Sequence, residues 1–158
     1  MIRRSVFLAA LFLIALGGAS GPGAPGAWTV VRDGSTIDLS LRALGGERRG
    51  RFEEWHGDIT FDPDAPGRTR ATVVVRAGSL KMQPAVATRR AIGPAFLDSA
   101  RFPVIRVELR SLEPRGGDRF TARADVTMKG VTRPVTFPVD LRVTAGRARS
   151  VWIARNLA

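Results

Sequence analysis

With 158 residues, 25 Lys or Arg against 14 Asp or Glu and a formal net charge of +11, the chain is one strongly basic domain's worth of protein. The absence of cysteine excludes disulfides, thiolate metal sites and a thiol-linked lipoprotein anchor. Lys81 and Lys129 are the only lysines, and the arginines are dispersed along the chain instead of forming one block with interleaved aromatics, so an anionic lipid surface suits this charge better than nucleic acid, which is not expected as a partner.

Arg3 and Arg4 precede an apolar run from Val6 to Leu16, followed by Gly17, Gly18, Ala19 and Ser20. Residues 1–20 therefore read as a secretory signal peptide, and the run is short for a membrane-spanning anchor, the alternative. Export to the periplasm or the medium follows as the expectation. Residues 21–27, GPGAPGA, read as a flexible lead into a domain over residues 28–158.

Trp28–Val31 opens the strand signals, and Thr36–Leu41 alternates strictly, with Ile37, Leu39 and Leu41 on one parity. Arg51–Phe61 is long, and its parity changes between Phe52 and Trp55, which predicts a β-bulge or sharp bend near Glu53 and Glu54. A turn over Asp62–Gly67 leads to Arg70–Ala77, where Ala71, Val73, Val75 and Ala77 face inward. The rhythm fails over Pro84–Asp98. Here a short helix broken at Gly93-Pro94 is expected, covering one mouth of the domain with Met82, Ile92, Phe96 and Leu97.

Val104–Leu112 returns to strand, with Ile105, Val107 and Leu109 opposed to Arg106, Glu108 and Arg110. The clearest signal follows. Phe120, Ala122, Ala124, Val126 and Met128 share one parity before the Lys129-Gly130 turn, and Val135, Phe137, Val139, Leu141 and Val143 repeat it afterwards. Arg149–Ile153 is the last strand signal, giving about seven strands. One apolar and one wet face along antiparallel strands predict an all-β barrel, because closure buries the apolar face and removes exposed edges.

The words VTMKGVTRPVTFPV (Val126–Val139) resemble the hairpin L-T-I-K-G-V-T-K-P-V-x-[LF]-x-V of the YceI-like family of secreted bacterial lipid-binding proteins. FLDSARFPVIRVEL (Phe96–Leu109) resembles that family's FLD-x-x-x-[FY]-P-x-[AI]-x-F, and RFEEWHGDITFDP (Arg51–Pro63) its G-x-F-x-x-x-x-G-x-I-x-F-D-P. The three segments stand in the family's order, and the similarity runs from about Trp28 to Val143. The resemblance implies a lipocalin-like up-and-down barrel with one strand more than the sequence offers, and an interior that holds a long isoprenoid chain such as a polyprenyl lipid or quinone. The family's closing C-terminal strand has no counterpart before Ala158. An incompletely closed barrel is therefore expected, with unpaired backbone at the first or last strand. A tighter barrel, a homodimer through the open edge and a weakly stable product are the outcomes considered.

Candidate lining residues are Ile37, Leu39, Phe52, Val73, Val75, Met82, Ile92, Phe96, Leu97, Ile105, Val107, Phe120, Val126, Val135, Phe137 and Val139. From the residues alone such an interior is equally suited to hold an apolar ligand or to be filled by its own side chains. Catalytic signals are weak. His56 is the single histidine, and Glu54, His56 and Asp58 on one extended face lie too far apart to grip a metal unaided. Ser79, Ser99 and Ser111 lack a nucleophile elbow, and Gly45-Gly46 and Gly116-Gly117 read as hairpin turns, not phosphate cradles. A non-enzymatic chain without metal or cofactor is the expectation.

Overall fold

The computed structural model describes residues 7–17, 26–43, 46–62, 65–144 and 147–155, with side chains over 35–40, 47–62 and 65–142. Ten strands carry it: β1 (Phe7–Gly17), β2 (Gly26–Ala43), β3 (Gly46–Phe52), β4 (Trp55–Phe61), β5 (Arg70–Arg76), β6 (Leu80–Met82), β7 (Val104–Gly116), β8 (Arg119–Met128), β9 (Val131–Thr144) and β10 (Arg147–Arg155). One helix, α1 (Ala85–Ile92), falls inside the segment where the alternation fails. No helix among the described residues is long and apolar enough to cross a membrane.

Every pairing between these strands is antiparallel, in the order β10-β9-β8-β7-β5-β4-β2, with β3 and β6 branching from the far half of β2. The inward parities meet in register. Val73 stands opposite Val107 and Val107 opposite Val126, while Ala124 faces Val135 and Ala122 faces Phe137. Apolar rows thus run across the strands on one face, and arginines and carboxylates occupy the other. The β8–β9 turn has Lys129 at φ 52° and Gly130 at φ 73°. Two successive left-handed residues match the right-handed twist of the strands they join. A Cβ on Gly130 would also meet the Phe102 ring at 3.2 Å.

Three expectations are corrected. The strand foreseen over Arg51–Phe61 is two strands, because, of the two options foreseen at Glu53 and Glu54, the chain takes the sharp bend and not the bulge. Ser79 stitches that corner: its backbone carbonyl accepts from Glu53 N at 3.3 Å, and its hydroxyl accepts from Glu54 N at 3.1 Å and donates to Arg76 O at 2.7 Å. The turn lets both Phe52 and Trp55 be buried. Conversely, the two signals over 28–31 and 36–41 belong to one long strand whose register with β1 jumps between Leu13 and Ala15. Gly26 and Ala27, assigned to the lead, begin that strand.

The seam is bridged by the apolar run near the start of the chain. The run read as an export signal forms β1, which pairs with β10 from Ala9↔Arg155 to Gly17↔Arg147 and with β2 from Phe7↔Arg42 to Gly17↔Thr29. The edges expected to lack backbone partners are thereby occupied, and the ladder is continuous only through this strand. Residues 26–155 by themselves leave the seam open between β2 and β10. The physical reason is that an unpaired edge accepts any extended backbone, and Phe7–Gly17 has neither charge nor proline to resist pairing. Residues 1–6, 18–25, Pro63, Asp64 and Gly45, and the side chains of Leu41 and Val143, fall outside the described set.

Candidate binding interior

The core is one cluster. Among the candidate lining residues, Ile37, Leu39, Val73, Val75, Val107, Phe137 and Val139 are buried, and Ile105 and Val135 are partly buried against them. Phe52, Met82, Leu97 and Val126 join the buried set, with Ile92, Phe96 and Phe120 packed around it. All sixteen residues expected to line the interior therefore belong to a single apolar body. Sequence reasoning missed Leu80 and Leu112, both among the largest fully buried side chains. Leu80 lies in the short β6, where Leu80 and Met82 are buried and Lys81 is exposed, an alternation too brief to register. At Leu112 a register shift between Leu109 and Ser111 changes the parity that Ile105, Val107 and Leu109 establish.

Helix α1 closes over one end. Its Thr88 hydroxyl accepts from Met82 N at 2.8 Å and donates to Met82 O at 3.0 Å, fixing the helix to β6 through two bonds. After Ile92 the chain folds back: Leu97 N donates to Ala91 O at 3.0 Å, and both the amide and the hydroxyl of Ser99 donate to Ile92 O. That return lays Leu97 into the core and Ile92 and Phe96 against it. The β8–β9 turn supports the same end, where Lys129 Nζ reaches Pro94 O at 3.5 Å. Thus Ala91 is buried while Val86, Arg89 and Arg90 are exposed, which gives the lid a wet and a dry side.

Outside the cluster, ionic pairs crosslink the wall. Arg51 Nε donates to Asp38 Oδ1 at 2.7 Å, and Arg110 Nε to Asp125 Oδ2 at 2.8 Å. Hydrogen bonding to the carboxylate, then its charge, raises each guanidinium above its ordinary pKa, so this charge persists at any working pH. His56 Nε2 lies 3.0 Å from Asp58 Oδ2 with both side chains exposed, while Glu54 turns to Arg76 at 3.1 Å. The three candidate metal ligands do not converge, and among the described residues no group of three such ligands exists. Ser79 and Ser99 spend their hydroxyls on backbone carbonyls.

Comparison with known proteins agrees with this geometry. The YceI-like domain profile matches residues 28–156. The chain is 29% identical over 103 residues to a UPF0312 protein of Yersinia pestis, covering 65% of this chain and 52% of that protein. It is 27% identical over 117 residues to a UPF0312 protein of Pseudomonas fluorescens, covering 73% and 59%. The chain thus spans little more than half the length of these curated relatives. Among solved structures, Burkholderia cenocepacia BcnA superposes with a TM-score of 0.59 at 13% identity, covering 92% of this chain and 95% of that one. The Campylobacter jejuni YCEI protein gives 0.56 at 16% identity, covering 61% and 56%.

Proposed function

This chain belongs to the YceI-like family, and on that premise we propose that it is an exported, non-catalytic carrier holding one isoprenoid-type lipid, a polyprenyl chain or quinone tail, in its apolar interior. The observation that carries the reading is the continuity of the cluster from the strand rows to Leu97, Ile92 and Phe96 beneath the lid. Burial of each methylene contributes about 0.8 kcal/mol, so a long chain gains affinity without a dedicated headgroup site. Export rests on the layout of Arg3, Arg4 and the apolar run after them. Native mass spectrometry of protein purified without delipidation, followed by solvent extraction, tests the proposal. A stoichiometric long-chain lipid is the expected result, and an empty protein from lipid-rich cells overturns it.

A second reading is a filled-barrel envelope module that acts through its basic exterior. It is favoured by the near-complete burial of Ile37, Val73, Val75, Leu112 and Val139, whose own side chains occupy the interior. Salt-sensitive association with anionic vesicles by a protein that carries no lipid distinguishes it.

A further inference from the structure

The exposed large hydrophobics of the described chain gather at one end of the molecule, where four cations without a carboxylate partner accompany them. Val86, Val104 and Val131 are the exposed large hydrophobics among the described residues, at 57%, 46% and 53%. Each begins or nearly begins an element at the lidded end: Val86 lies in the first turn of α1, Val104 opens β7 and Val131 opens β9. Arg89, Arg90, Lys129 and Arg133 interleave with them in the same elements and turn. None of these four is among the residues paired with a carboxylate in the described structure. The wall behaves differently, because Arg51, Arg76, Arg110 and Arg123 each lie within 3.2 Å of an acid.

Opposite the lid, around the Gly117-Asp118 turn, cations mostly meet carboxylates, Arg119 excepted. Arg142 meets Asp118 at 3.1 Å and Arg115 meets Glu113 at 3.6 Å, and no exposed large hydrophobic accompanies them. Parity sharpens the contrast. Val131 and Arg133 continue the inward parity of Val135, Phe137 and Val139 along β9, yet both are exposed, so they stand at the rim of the mouth. A rim that alternates valine with unneutralised cation has the chemistry of a surface that meets lipid headgroups while its apolar side chains enter the acyl boundary.

We propose that the lidded end, formed by α1, the start of β7 and the β8–β9 turn, docks on an anionic phospholipid bilayer. Docking there sets the lid and the apolar cluster beneath it against the membrane, so a lipid could pass between bilayer and interior without crossing water. This use rests on the carrier reading, whereas the docking itself rests only on the rim. Nucleic acid is a poorer occupant, since no aromatic side chain is among the exposed large hydrophobics of the rim.

Vesicle flotation tests the proposal, using phosphatidylcholine with or without phosphatidylglycerol. The full chain is expected to float only with phosphatidylglycerol and to be released by salt. Combined Arg89→Glu, Arg90→Glu and Lys129→Glu should weaken partitioning at least about tenfold. Val86→Asp with Val131→Asp should weaken it too, and Arg68→Glu with Arg119→Glu, away from the lidded end, should leave it unchanged. All variants are checked for an unaltered circular dichroism spectrum and thermal midpoint. Equal loss in the Arg68 and Arg119 control, wild-type binding by the valine variant, or equal flotation with phosphatidylcholine alone overturns the assignment. Lipid content, read on the same preparations by native mass spectrometry, separates the two ideas: a loaded protein that fails to float sinks docking alone, and an empty one that floats sinks the carrier reading alone.

Discussion

Gly50 is buried where β6 pairs with β3, and a Cβ there would lie 2.6 Å from Met82 Cγ, 2.8 Å from Leu80 Cδ1 and 2.9 Å from the Lys81 carbonyl oxygen. The side chains could shift, but the carbonyl belongs to a paired strand. Gly50→Val is expected to destabilise by about 1–3 kcal/mol through overpacking, read from the urea midpoint. Leu112→Ala should cost about 2–5 kcal/mol, because its side chain is among the largest that are fully buried and its removal leaves a cavity beside β8. Arg110→Ala makes the useful contrast: although its bond to Asp125 is short, the arginine side chain is 59% exposed, and its loss should cost no more than about 1 kcal/mol. At this scale parity was legible in the sequence. Val73, Val107 and Val139 follow from alternation alone, whereas Leu80 and Leu112 depend on a strand too short to recognise and on a register shift.

Among the elements, α1 shows how little holds a lid in place. Its capping end has no side-chain hydrogen bond, and the helix is tied to β6 chiefly through Thr88. Thr88→Val removes both bonds and leaves the Met82 amide without that acceptor, a loss of about 1–3 kcal/mol if the site stays dry. The expected result is local: amide hydrogen exchange over residues 82–99 rises about tenfold or more while β8 and β9 keep their protection. Uniformly faster exchange would show that the lid and the sheet open as one unit. The helix was readable from the failure of strand rhythm between Pro84 and Asp98. The corner at Glu53 and Glu54 was only half readable, since a change of parity marks a bulge and a corner alike, and the choice lies with Ser79, 25 or 26 residues onward.

At the scale of the whole molecule, the ladder depends on β1. Removing residues 1–20 would free the backbone of β10 along 147–155 and the facing edge of β2. Two complementary edges on one subunit favour pairing with a second copy, so the shortened chain is expected to form a concentration-dependent dimer in light scattering where the full chain is monomeric. A shortened monomer with an unchanged thermal midpoint would show that this pairing adds nothing to stability. The sequence by itself determined the all-β class, the inward parity of the apolar rows, the Lys129-Gly130 turn and the helical cover, because each is a local preference written in neighbouring residues. Only the tertiary structure decided which strand meets which edge. The apolar run of Phe7–Gly17 suits an export signal and a paired strand equally well, and its pairing with β10 joins backbones more than a hundred residues apart, beyond the reach of any local pattern.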